Sequence, residues 1–444
     1  MTSKNGAHLP TLKRKHPPGL PVLFFTEMWE RFSFYCMLSI LALYMSESLK
    51  FSTTTIGQIY GGYIGLVYFT PLFGGLLADR VLGFRKAIVL GGISMGIGHA
   101  LLAFPPLPTF FAGLCCLIIG NGLFKPNIST ILGNLYRDMP EKRDDAYNIF
   151  YMGINLGAMM SPLVASYLRN HYGWHYAFGA AGVGMIIALT IFTLFRKHVA
   201  AGETAPALSS NPSPIKEIEV TPRQERDRIF ALLVIFAVVI VFWMAFEQNG
   251  FTLTFWARDN TRTALSPELF QSINPSFILL FTPLLVLFWT ALRAKRWEPS
   301  TSAKIAIGML LTVAAYGVMT LAGKLGGDTG RVSVNWLIGT YAVITIAEIC
   351  LSPMGLSLVS KLAPPRMRGM LMGAWFVASG IGSYLAGLFG GFWDRMNHST
   401  FFAFLAFASL IAFLALLFVI KRLHGTIVEA EEMTRQAAGQ TGTN

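Results

Sequence analysis

The stretch "FFTEMWERFSFY", residues 24–35, heads an apolar run yet holds Glu27, Glu30 and Arg31 within five positions. Spaced i, i+3, i+4, the three share one face of a helix. At about 100° per residue, Phe34, Tyr35 and Leu38 fall on that same face. A charge turned toward hydrocarbon costs from ~3 to more than 10 kcal/mol, so these groups must meet one another or water. If all three ionise they leave a net −1, which calls for a base from elsewhere. A self-satisfied ion cluster that only orients the helix is the plain alternative.

Working outward, the chain of 444 residues is 53% hydrophobic and only 13% charged. That balance belongs to a polytopic membrane protein rather than a soluble domain. Runs of about 20 apolar residues, the length that spans a bilayer as helix, recur twelve times. They lie near 21–46, 54–79, 86–105, 108–130, 145–168, 175–195, 229–257, 269–292, 304–323, 335–360, 369–392 and 399–420. The polar first 20 residues show no cleavage-site pattern, so no removable signal is expected.

The net charge of +12 raises the question of nucleic acid, which the placement of the bases answers. Of 35 Lys and Arg, 26 fall on one side of the spans and 7 on the other. The positive-inside rule puts the richer side, with both termini, in the cytoplasm of a plasma membrane of bacterial inner-membrane type. The excess is therefore topology, and no nucleic-acid partner is expected.

The remaining two bases, Arg31 and Lys125, sit inside spans. So do four acids: Glu27, Glu30, Glu247 and Glu348. Glu247 stands at i+4 from Trp243 in "FWMAFEQNGF", and a lone Glu in such a run is expensive to keep. Asn155 and Asn274 are read either as helix-to-helix glue or as site residues. Lys125 directly precedes Pro126, and Glu348 precedes Pro353. Proline frees backbone groups, tolerated in a span where they face protein or a wet cavity. The four cysteines lie within spans, in no disulfide or metal spacing. No mid-span histidine is present, and no G-x-x-x-x-G-K-[ST] loop, which argues against a membrane enzyme and an ATP-driven pump.

The one long polar interruption, 197–227, divides the spans six and six. The expected architecture is all-α: a major facilitator fold of twelve transmembrane helices in two six-helix bundles. Residues 1–196 form the first bundle, 197–227 a cytoplasmic linker, 228–422 the second bundle and 423–444 a cytoplasmic tail.

Several blocks resemble the proton-dependent oligopeptide transporter family. "EMWERFSFY" looks like its ExxERFxYY motif. "GGLLADRVLGFRKAI" (74–88) and "YNIFYMGINLGAM" (147–159) look like its signature segments. "GLFKPNIS" (122–129), "FEQNG" (246–250) and "EICLSPMGLSLVSKLAP" (348–364) are similar to further family blocks. The resemblance implies a proton-coupled importer of di- and tripeptides, functional as a monomer in the lipid bilayer, with no cofactor and no metal. It implies proton coupling through Glu27, Glu30, Arg31, Lys125 and Glu247. Arg31 and Lys125 would meet the peptide carboxylate, and Glu348 its amino terminus. Asn155 and Asn274 would assist, while Tyr35, Tyr68, Trp243, Trp375 and Ser379 would line the pocket. Two positions depart from the pattern, Phe34 for a common Tyr and Leu38 for a second Arg, which thins the carboxylate clamp. Many bacterial members carry two extra helices between the halves; the polar linker here supplies none. A proton/drug antiporter, or a symporter of another solute, on the same fold is the alternative.

Overall fold

The computed structural model describes residues 15–139, 142–203, 222–364 and 367–422. Most of the 197–227 linker and all of the 423–444 tail lie outside them.

The described residues form twelve membrane passes, each placed where an apolar run falls. In chain order the first half holds α1 (Gly19–Glu47), α2 (Thr53–Phe69) continued by α3 (Pro71–Leu77), and α4 (Phe84–Leu102). It is completed by α5 (Leu107–Leu135), α6 (Arg143–Tyr172) and α7 (Trp174–Leu194). The second half opens with α8 (Pro222–Phe246) and α9 (Thr252–Asp259), then α10 (Ile273–Ala294) and α11 (Thr301–Gly326). It closes with α12 (Val334–Leu362), α13 (Arg368–Gly390) and α14 (His398–Arg422). Ten of the passes are long and apolar enough to cross a membrane on composition alone; α1 and α4 are the other two. The exception of α1 follows from its charged face.

Local chemistry sets the helix ends. Ser52 caps α2 by accepting from the Thr55 amide at 3.2 Å, and Ser300 caps α11 by accepting from Ala303 at 3.2 Å. Gly173, at φ 98°, makes the tight corner between α6 and α7, a backbone setting that a side chain would strain. Pro126 and Pro353, read as points of disturbed backbone, lie inside continuous α5 and α12. The break falls elsewhere. The seventh pass leaves α-helical geometry at Glu247–Gly250, a short 3-10 turn between α8 and α9.

Each half packs mainly on itself: α1 against α6 and α7, α4 against α5 and α7, α8 against α13 and α14, α11 against α12 and α14. The halves meet along α2 with α13 and along α6 with α10. At the α2–α13 contact, glycines let backbones touch. A Cβ at Gly61 would stand 2.6 Å from the Tyr384 carbonyl oxygen and 2.9 Å from the Gly387 Cα. Gly61→Leu is therefore expected to part the two helices. Disulfide formation between cysteines placed at Thr54 and Gly391 should then fall severalfold, and unchanged cross-linking would refute the close-approach account.

The end of the molecule that carries Glu47 is tied across the halves. Arg169 of α6 donates to Glu47 at 2.8 Å and to Glu268, on the turn before α10, at 2.7 Å. Arg258 of α9 pairs with Glu47 at 3.5 Å. Thr53 bonds Asp394, and Thr54 donates to the Gly391 carbonyl at 3.2 Å. Two-residue strands β1 (Thr261–Arg262) and β2 (Val332–Ser333) pair in parallel at the same end. Glu268 is fully buried, so removing Arg169 leaves a desolvated charge, which for a buried pair costs roughly 3–5 kcal/mol. Arg169→Ala should accordingly shift the population toward states open at this end. Spin labels at Ser48 and Leu265 would report it as a longer distance, and an unaltered distribution would count against a closing role.

Candidate functional site

A cavity of about 380 Å³ lies between the halves. From α1 it takes Glu27, Arg31, Phe34, Tyr35 and Leu38, the face that the 24–35 stretch specifies. The first half also presents Tyr60, Ile64 and Tyr68 from α2, Lys125 from α5, and Asn155 with Tyr151 from α6. Across from them stand Trp243 of α8, Glu247 and Asn249 on the 3-10 turn, Asn274 of α10 and Glu348 of α12. Lys125 and Glu247, drawn from opposite halves, therefore border one shared space.

The ionisable groups differ in how far they are committed. Arg31 is clamped from behind: its Nε bonds Glu30, and its NH2 donates to the same carboxylate at 2.7 Å. The same NH2 reaches Asn121 Oδ1 at 3.3 Å, and Nε lies 3.3 Å from Glu27. Asn121 is held in turn by donating to the Val67 carbonyl at 2.9 Å. Glu30 is fully buried and stands behind Arg31 rather than in the cavity wall. Lys125 makes a lighter contact, its Nζ 5.1 Å from the centre of the Tyr68 ring. That ring lies 6.1 Å from the Trp243 ring of the other half.

On the opposite wall, Glu348 accepts from Asn274 Nδ2 at 2.9 Å, and the same amide reaches Thr345 Oγ1 at 3.0 Å. Among the described residues, Glu247 accepts only a long bond, 3.4 Å, from Ser383. Asn155, which borders the cavity, donates to the Tyr151 carbonyl one turn back at 2.9 Å. Unpartnered buried polar atoms cluster here too: Glu27 Oε2, the Tyr60 hydroxyl, Trp243 Nε1 and both amide atoms of Asn249. Buried polar groups normally find partners, so these five atoms of lining residues are exceptions among the described residues.

Eleven of the residues singled out from the sequence come together: Glu27, Arg31, Tyr35, Tyr68, Lys125, Asn155, Trp243, Glu247, Asn274, Glu348 and, through Arg31, Glu30. Trp375 and Ser379 do not border the cavity. Both are buried on α13, with Trp375 lying over Gly355 and Ser379 donating to the Trp375 carbonyl at 3.0 Å. One step along the helix is about 100°, and the wall position falls to Phe376. Sequence reasoning missed Tyr60, Tyr151, Asn249, Gln271 and Tyr341. The Asn-Gly pair at 249–250 was the available signal for a backbone departure. Among the described residues no group of three or more His, Cys, Asp or Glu could hold a metal ion.

The family model described as "POT family" matches residues 85–206 and 209–404. The peptide transporter YePEPT of Yersinia enterocolitica is 34% identical over 448 residues, covering 85% of this chain and 88% of that protein. A di-/tripeptide transporter of Lactococcus lactis subsp. cremoris is 32% identical, with coverage of 91% and 95%. Among solved structures, a crystal structure of a peptide transporter POT in complex with sulfate superposes with a TM-score of 0.83. It is 31% identical and covers 93% of this chain and 96% of its own.

Proposed function

Since the chain belongs to the POT family, a family of membrane transporters and not enzymes, we propose that it imports di- and tripeptides with protons by alternating access. The observation that carries this reading is the shared cavity, in which a base of one half, Lys125, faces the acids Glu247 and Glu348 of the other. A peptide is a short zwitterion, and this wall-to-wall pairing of charges has the matching polarity.

In the proposed cycle the peptide amine docks at Glu348, oriented by Asn274, and the carboxyl end lies toward Lys125 and Arg31. Protonation of Glu247, or of the Glu27/Glu30 pair, weakens the hold of these acids on Lys125 and Arg31 and releases them to the substrate. The moving bodies are the two bundles, residues 1–196 and 228–422, joined by 197–227. The asymmetry of basic residues supports a plasma-membrane orientation with both termini in the cytoplasm. The Glu47 end then faces outward, and the ion pairs of Arg169 and Arg258 hold that entrance shut. The proposal takes the single chain as the working unit, because the whole cavity is built within it.

Counterflow in proteoliposomes tests the reading. Vesicles loaded with unlabelled dialanine should accumulate labelled dialanine. Expulsion of lipophilic cations with no peptide exchange would instead establish the proton/drug antiporter alternative.

A further inference from the structure

The turn that carries Glu247 is joined to the first half by uncharged contacts. Within it, the Asn249 carbonyl accepts from a side chain: the hydroxyl of Thr254, on α9, donates to it at 2.8 Å. Thr254 is fully buried, and its hydroxyl in turn accepts from Gln271 Nε2 at 3.0 Å. The same nitrogen crosses the seam and donates to the Ser39 carbonyl of α1 at 3.0 Å. A side-chain amide nitrogen carries two hydrogens, so it can serve both acceptors at once. The chain from Ser39 through Gln271 and Thr254 to Asn249 is thus matched, donor to acceptor, at every step.

Its ends lie where they can relay closure. Gln271 and Asn249 both border the cavity. Along α1, Ser39 follows the cavity residue Leu38 and precedes Glu47 by about two turns.

A second contact from the first half falls on the same turn. A Cβ at Gly250 would run into the hydroxyl of Tyr60, so it is the bare glycine that lets α2 close on the turn. The Tyr60 hydroxyl has no hydrogen-bond partner, and its ring lies 5.6 Å from that of Phe251. Packing rather than bonding therefore sets this contact.

We infer that Gln271 is a positioning residue that fastens α1 to the turn carrying Glu247. With the Tyr60–Gly250 contact it forms an uncharged clasp additional to the ties of Arg169 and Arg258. Closure of the Glu47 end and the shape of the turn then depend on one another. The inference rests on the alternating-access reading above and deepens it.

Spin labels at Ser48 and Leu265 of the full chain test it. Gln271→Leu keeps the bulk and removes both donations, and should raise the longer-distance population about fivefold or more. Thr254→Val should act alike, and the double variant should add little to either single, because both sever one chain. Gly250→Ala should also lengthen the distance, and Tyr60→Phe should restore it in the pair, since the nearest remaining Tyr60 atom, Cζ, would stand 3.1 Å from the new methyl. A general loss of packing would show no such rescue. In counterflow, the maximal rate for dialanine should fall severalfold and the half-saturation concentration change less. A folded Gln271→Leu with the wild-type distance distribution would overturn the inference. So would additive effects at 271 and 254, or a Gly250→Ala that Tyr60→Phe does not rescue. The distances need no substrate, so a wild type that fails to exchange dialanine would sink the peptide reading while the clasp is still decided by the labels. Thr254→Val and the rescue pair keep the test decisive should Gln271→Leu not fold.

Discussion

Glu247→Gln is expected to abolish gradient-driven accumulation while leaving peptide exchange in place. The glutamine has the shape of the acid and can still accept from Ser383, so the turn at 247–250 keeps its local bond. What it loses is the titratable charge that the proposed cycle assigns to proton carriage and to the hold on Lys125. One proton crossing 100 mV gains ~2.3 kcal/mol, roughly a fiftyfold concentration ratio. Accumulation in energised proteoliposomes should therefore collapse from about that ratio toward unity, while counterflow, which needs no net proton movement, persists. Full proton-driven uptake by the variant would remove Glu247 from the coupling path.

The second large effect concerns the amine end. Glu348→Gln keeps the side-chain volume and the contact with Asn274 but removes the charge that would pair with a ligand ammonium. Losing one partner of a buried, hydrogen-bonded charge pair typically costs about 2–5 kcal/mol, and 2 kcal/mol is roughly thirtyfold in affinity. The half-saturation concentration for dialanine should rise by at least about that factor, and the loss should be as large for dialaninamide, which shares the amine. A change confined to the acid form would place the amine elsewhere in the cavity.

The passes were legible because bilayer thickness sets their length and leaves long apolar runs that polar loops interrupt. The face of α1 was legible because a helix has a fixed period, so Glu27, Arg31, Tyr35 and Leu38 had to share a stripe. Rotation finer than that period was not. Glu30 sits on the expected side of α1, yet it lies behind Arg31, because bonding the guanidinium twice satisfies both charges where no water reaches. Trp375 and Ser379 rest on a resemblance, which carries residue identity but not the roll of α13 about its axis, and the wall position falls to Phe376. Each of the two prolines removes a backbone donor, yet α5 and α12 run through them. The ties at the Glu47 end were invisible for a different reason. Arg169, Arg258, Glu47 and Glu268 read as ordinary loop-side charges, and nothing local announces a partner about a hundred positions away in the chain.

The break in the seventh pass has a mechanical consequence. With α-helical geometry lost at Glu247–Gly250, α9 becomes a separate rod of eight residues, about 12 Å long at 1.5 Å per residue. Glu247 lies at its pivot, and Arg258, which grips Glu47, lies near its tip. A swing of about 10° over that length carries the tip about 2 Å, enough to undo an ion pair already stretched to 3.5 Å. In the proposed cycle, neutralising one carboxyl at the fulcrum would reach the proposed far doorway through a single stiff arm, with no need for the rest of the bundle to relay it.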